Sequence, residues 1–221
     1  MTDYIPLTFG LEALYPPMAL PSTALRDLYN RLAEPCRFTE FRQLGEGQGA
    51  RLAEGNNRHL TLTNDRFIYR DEYTQRLFST FCEDVQQLLA SLREILHIPV
   101  LLHNKVLVRL LMPHRGQETT VDYFQRTMVG QASQHFNFFK RPISGMGFRL
   151  VFPPNQQMRS TFQIRIEPYY RDLKMFFLEN SAQFFDPLVD LNGASQYLEE
   201  AYNFLKEQAG PFLLSLSSGD E

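Results

Sequence analysis

The spacing of hydrophobic positions changes several times along this chain, and each change marks an element. Residues 7–15 form an apolar-rich run closed by Pro16 and Pro17. Proline lacks a ladder donor and restricts its predecessor, so the run predicts a strand that ends there. Leu25, Leu28 and Leu32 then recur at helical spacing behind Ser22, which predicts a helix with Ser22 as N-cap and Pro35 as its stop. Strands are predicted over 38–44, 50–53, 58–63 and 66–70. Asn56-Asn57 and Asn64-Asp65 are read as tight turns between them, because both residue types tolerate positive φ. The clearest helical period covers 75–96, with Leu77, Phe81, Val85, Leu88 and Leu92 inward and Glu83, Asp84 and Arg93 on the wet face.

The second half of the chain repeats this order. A strand over 100–112 is ended by Pro113, and Thr119 or Thr120 caps a helix that runs to about 129. Residues 148–152 form a strand before Pro153-Pro154. Phe162, Ile164 and Ile166 alternate with Gln163, Arg165 and Glu167, a strand with one dry and one wet face. A further strand covers 174–183. A terminal helix over 194–208 turns Tyr197, Leu198, Ala201 and Leu205 to one side and closes at Gly210-Pro211.

Two stretches align across the halves. Gly47-Gln48-Gly49-Ala50-Arg51-Leu52 matches Gly145-Met146-Gly147-Phe148-Arg149-Leu150 at an offset of 98 (145 against 47). Leu25, Leu28 and Leu32 fall opposite Val121, Phe124 and Met128 at an offset of 96 (121 against 25). Repeats govern a fold before local motifs do. The expectation is an α+β fold of two tandem related halves, 1–98 and 99–214, with a disordered tail at 215–221. Each half reads strand, helix, three or more antiparallel strands, long helix, a helix-grip-like order with a pseudo-twofold. The pattern leaves open whether the two sheets join edge to edge or face each other across a cleft.

Composition adds little pull in any direction. The 221 residues carry a net charge of −3 with both signs mixed, which offers no overall attraction to nucleic acid or acidic membranes. Two cysteines cannot build a disulfide framework, and no charged leader or membrane-length apolar run is present. A soluble cytoplasmic protein is expected. With 19 Phe and 10 Tyr but no Trp, the aromatics fit a sheet-rich core.

Candidate chemistry is sparse. The run from Gly45 to Gly49 leads into a strand and lacks the Walker lysine, so it marks a bend, not a phosphate loop. Cys82 sits on the apolar stripe of a helix, where a thiol behaves as a small hydrophobe. His59, His97, His103, His114 and His135 show no metal-ligand spacing. No metal, no cofactor and no catalytic residue is expected, which points away from an enzyme. Arg51 and Arg149 recur at equivalent places. They read as cross-strand partners on wet sheet faces or, across a cleft, as paired anion contacts. With Glu167 and Tyr169 they form the candidate ligand set for a pocket between a long helix and its sheet. His135 to Arg141 interleaves aromatics with basic groups, which makes Phe136, Phe138, Phe139, Lys140 and Arg141 candidate contacts for a partner or for single-stranded nucleic acid.

Gly147 to Phe152, then Ile164-Arg165-Ile166-Glu167-Pro168, then the strand through Phe176 to Phe185 and the closing helix resemble a family of uncharacterised, sporadically distributed bacterial proteins. The opening Ile5-Pro6-Leu7 is similar to that family's start. These motifs are structural and carry no catalytic residues to transfer. The resemblance implies a bacterial accessory or defence-associated role. The expected function is therefore a non-enzymatic protein-interaction role. A small-molecule binder or enzyme stands second and single-stranded nucleic-acid binding, opposed by the net charge, third. Self-association is left open.

Overall fold

A computed structural model describes residues 4–129, 139–141, 143, 145–156 and 159–216. Nine strands pair antiparallel in one sheet: β1 (Ile5–Leu14), β2 (Glu40–Gly45), β3 (Gly49–Glu54), β4 (Arg58–Thr63), β5 (Arg66–Glu72), β6 (His103–Pro113), β7 (Phe148–Phe152), β8 (Ser160–Pro168) and β9 (Met175–Phe184). Their spatial order is β2-β3-β4-β5-β1-β6-β9-β8-β7. The pairing of β1 with β6, Phe9 opposite Val108 and Leu11 opposite Val106, places the strands of residues 1–98 and 99–214 side by side. The sheets thus meet edge to edge, and no cleft separates two facing sheets.

Strict alternation decides which face is dry. Arg58, Leu60 and Leu62 of β4 and Phe162, Ile164 and Ile166 of β8 are buried, while the residues between them are partly exposed. The helices pack on that dry face: α1 (Ser22–Leu32), α2 (Phe78–Ile95), α3 (Thr120–Phe124), α4 (Ala194–Asn203) and α5 (Gly210–Ser215). At the β1–β6 seam, Phe9 lies 5.3 Å from Phe78 and 5.4 Å from Phe81 of α2. Phe78 stacks at 4.0 Å on Tyr202 of α4, so one aromatic group ties both helices to the central strand. None of the described helices is long and apolar enough to cross a membrane.

Several local expectations are corrected. Ser22 is the first residue of α1 and makes no capping bond; its hydroxyl accepts from Gln43 Nε2 at 2.7 Å instead. The 55–57 turn takes its positive φ at Gly55 (58°), not at Asn56 or Asn57. Thr119, in contrast, caps α3 through a capping box with Asp122. The inward residues of α3 are Thr120, Tyr123 and Phe124, whereas Met128 is exposed. The α-helix gives way to a π-helical segment, Gln125–Val129, so the offset of 96 does not carry over as a matched face. The C-terminal helix does not stop at Gly210-Pro211. A π-helical segment, Phe204–Ala209, precedes that pair, and Pro211 then sits in the first turn of α5, where its missing donor costs nothing. Of the predicted tail, residues 217–221 lie outside the described residues.

The Gly-x-Gly copies are places of close backbone approach. A Cβ on Gly49 would collide with the Leu62 carbonyl, and one on Gly147 with the Ile166 carbonyl. Gly49 also holds φ +127°, which disfavours any other residue.

Candidate functional site on the uncovered sheet face

Among the described residues no helix packs on the second face of the sheet, and cross-strand register arranges its side chains into a row. Thr8 of β1 stands opposite Glu72 of β5 and Arg109 of β6. Arg109 stands opposite Glu179 of β9, Glu179 opposite Arg165 of β8, and Arg165 opposite Arg149 of β7. Arg109 Nε reaches Glu179 Oε2 at 2.6 Å, and Arg165 Nη2 approaches the same oxygen at 3.5 Å. Glu179 is largely enclosed, its side chain 13% exposed, so these contacts are less screened than an ordinary surface pair.

Beside the middle of this row, two residues along β6 and β9 from Arg109 and Glu179, the sheet carries a small apolar group of its own. Leu111, Met175 and Phe177 cluster there with Leu7 and Tyr169 packed against them. The guanidinium of Arg165 lies 5.0 Å over the Phe177 ring, and that of Arg171 lies 5.7 Å over the Tyr73 ring. Tyr73 is held at φ +52°, a costly conformation for a non-glycine residue, and stands 57% exposed at the rim. Between these groups lies a recess of about 250 Å³, bounded by Leu7, Thr8, Glu72, Tyr73, Arg109, Arg165, Tyr169, Arg171 and Phe177. A neighbouring recess of about 260 Å³ shares Arg165, Tyr169, Arg171 and Phe177 and adds Glu167, Pro168 and Tyr170.

The structure brings some of the expected site residues together and separates others. Tyr169 lines both recesses, and Glu167 joins it in the neighbouring one. Arg149 belongs to the same row, at its far end, and its partner is an amide: turned with its oxygen toward the guanidinium, Gln163 accepts from Nη2 at 3.1 Å and Nε at 3.2 Å. Arg51 lies opposite Thr61 and Arg42, seven strand steps from Arg149, a separation of about 34 Å at the usual strand spacing. Arg51 and Arg149 therefore cannot grip one anion, and neither lies beneath a helix. Of the aromatic-basic run, Phe136 and Phe138 lie outside the described residues, while Phe139, Lys140 and Arg141 are exposed.

A third recess, about 380 Å³, opens on the helix side. Leu150, Phe152 and Ile164 of the sheet face Phe204, Gln208, Ala209 and Phe212 of the C-terminal helical run across it. The sequence signal for it was the Gly210-Pro211 pair, which reads as a stop but accompanies a π-helical segment.

A buried charge network at the start of α2 was not foreseen. Asp84, predicted to be wet, is 4% exposed. It accepts from Tyr69 Oη at 2.8 Å and from Arg76 Nη1 and Nη2 at 2.5 and 3.1 Å. Arg58, also buried, approaches Asp71 at 3.5 Å and Glu54 at 2.5 Å. Leu77, predicted to be inward, is exposed instead. Helical period alone cannot place either residue, because Arg76 arrives from the turn before α2 and Tyr69 from β5.

Burial governs the titratable groups. It pushes the Cys36 and Cys82 thiols up to about 12, which keeps both protonated and poor nucleophiles. Cys36 is fully buried, and Cys82, expected in the core, is partly exposed. The Asp71 carboxyl is raised by burial, with Arg58 opposing. His59 is lowered by burial and then by Arg51, and His114 by burial. Among the described residues no three His, Cys, Asp or Glu side chains gather as a metal site.

No protein-family model matches the chain, and no curated protein matches it either.

Proposed function

We propose that this chain is a non-enzymatic interaction protein that receives a protein partner on the uncovered face of its sheet. The observation that carries the reading is the row from Glu72 through Arg109, Glu179 and Arg165 to Arg149, which runs beside an apolar group rimmed by exposed Tyr73 and Tyr170. Arginine forks beside aromatic rings are the material from which protein interfaces draw most of their binding energy. The chain's resemblance to sporadically distributed bacterial proteins supports an accessory, defence-associated setting in the cytoplasm. The element order after β6 echoes the order after β1, and Gly49 and Gly147 make the same close approach to a neighbouring carbonyl, which supports a tandem origin of the two halves.

The test is recovery of a stoichiometric partner from the native cell under mild lysis. Arg165→Glu combined with Tyr170→Ser, both at exposed or half-exposed positions, should keep the circular dichroism of the parent and lose the partner. Equal recovery by that variant, or no stoichiometric partner with the parent chain, would sink the reading.

The helix-side recess favours a second reading, a small-molecule binder. Its walls are almost wholly apolar, as ligand pockets usually are. An apolar fluorescent dye whose binding is abolished by Ala209→Leu would support it, and dye binding unaffected by that change would end it.

A further inference from the structure

The recess between Arg109, Arg165 and Arg171 has two halves of different chemistry. One wall is apolar: Leu7 and Phe177, with Tyr169 packed beside them. The other is a rim of guanidinium groups. Among the described residues Arg109 is hydrogen-bonded to Glu179 through Nε alone, and Arg165 Nε is enclosed with Glu167 Oε1 3.8 Å away, an ion pair beyond hydrogen-bond distance. Arg109, half-buried, thus keeps its Nη donors for an arriving acceptor. Arg171 makes no ion pair among the described residues; its contact is the Tyr73 ring.

Charge limits what can enter. Glu179 lies between Arg109 and Arg165, and Glu167 lies 3.8 Å from Arg165. Glu72 is turned to Arg70 at 3.8 Å. Three guanidinium groups against Glu167 and Glu179 leave one positive charge in excess. That excess suits a single carboxylate, whereas a phosphate dianion would meet the field of Glu179. Size limits it further. At about 250 Å³ the recess is below the span of drug-sized sites and near that of one residue. A glutamate side chain would satisfy the rim and leave the apolar wall wet. The last residue of a polypeptide carries an apolar side chain and a free carboxylate on the same carbon, so it fills both halves.

We infer that this recess captures the C-terminal residue of a partner polypeptide, an apolar side chain against Phe177 and its α-carboxylate on the arginine rim. The inference rests on the protein-interaction reading and names the partner's chemistry.

The probe is a fluorescein-labelled pentaglycine ending in leucine, as the free acid and as the amide, titrated by anisotropy against the whole chain. The free acid should bind saturably and at least about tenfold more tightly than the amide, the size of one charge-assisted contact. Arg171→Met, at an exposed position where folding is undisturbed, should weaken the acid several-fold. Glu167→Gln, which removes a competing carboxylate, should tighten it. Equal binding of acid and amide, or an Arg171→Met chain that binds like the parent, overturns the inference. So does displacement of the peptide by inorganic phosphate at lower concentration than by acetate, which would put a phosphate group there instead. Partner recovery that depends on Arg165 and Tyr170 while the acid peptide fails to bind would leave the interaction reading standing and remove this one alone.

Discussion

The two ends of the sheet are roofed in different ways. Over the first five strands lie α1 and α2, the latter an uninterrupted helix of 18 residues whose Phe81, Val85, Leu88, Leu89 and Leu92 are fully enclosed. Over the last strands the roof is α4, a π-helical segment and α5 in succession, and Phe212 and Leu214 remain partly exposed. A π-helical segment shifts the side chains that follow it relative to the helical stripe. Beneath the broken roof an apolar recess opens, whereas the recess at the start of α2, about 500 Å³ between Glu54, Arg58, Asp71 and Arg76, is polar.

The ends also differ in how polar groups are buried. Beneath α2 the chain encloses two carboxylates with two guanidinium groups, Asp71 and Asp84 with Arg58 and Arg76. Beneath α4 the buried polar group is neutral: Asn180 donates to the Ala201 carbonyl at 2.9 Å. The largest expected effect probes this contrast. Asp84→Ala strips Arg76 and Tyr69 of their shared acceptor and should cost about 3–5 kcal/mol, the usual loss when one partner of a buried pair is removed. Asn180→Ala should cost about 1–3 kcal/mol, mostly from burying the Ala201 carbonyl without its donor. Urea unfolding of both variants measures the difference, and equal losses would erase the contrast.

A second pair sharpens the difference in packing. Ser91 on α2 is buried in a filled interior, its hydroxyl given to the Gln87 carbonyl at 2.8 Å. Ser91→Ile should overpack that interior and cost about 1–3 kcal/mol. Ala209→Leu enlarges a side chain into the 380 Å³ recess and should raise stability by up to about 1 kcal/mol. Opposite signs in thermal melts are the expected result; a loss in both variants would mean the recess is not open to side-chain atoms.

The smallest effect concerns acid. His59 on one side of the sheet and His114 on the other both have pKa values lowered by burial from the ordinary 6.5. The unfolded chain therefore binds more protons as pH falls through that ordinary value, and stability drops until the folded-state values are passed. Between pH 7.5 and 5.5 the urea midpoint should fall less in His59→Gln/His114→Gln than in the parent. An identical fall in both chains would assign the acid sensitivity elsewhere.

Much of the fold was legible in one dimension. Phe148–Phe152 and Arg58–Thr63 are strands with the predicted bounds, and the alternation in β8 is as the apolar pattern requires. These features depend on neighbours one or two positions away, and prolines mark where such local order must end. The sequence by itself thus determined the α+β class, the strand periods and the bend into β3, and it narrowed the α3 cap to Thr119 or Thr120, of which the structure uses Thr119.

What joins distant segments had to wait for the tertiary structure. The β1–β6 pairing that merges the sheet, the burial of Asp84 between Arg76 and Tyr69, and the gathering of Arg109, Arg165, Arg171 and Tyr73 all depend on partners far away in the chain. Period tells which way a side chain points and says nothing of which strand will lie beside it. Arg51 and Arg149 show the cost of that ignorance: local likeness suggested a shared task, and strand order set them at opposite ends of the sheet. Register across the sheet is fixed only when every strand has chosen its neighbour, because one face must be buried along its whole width at once.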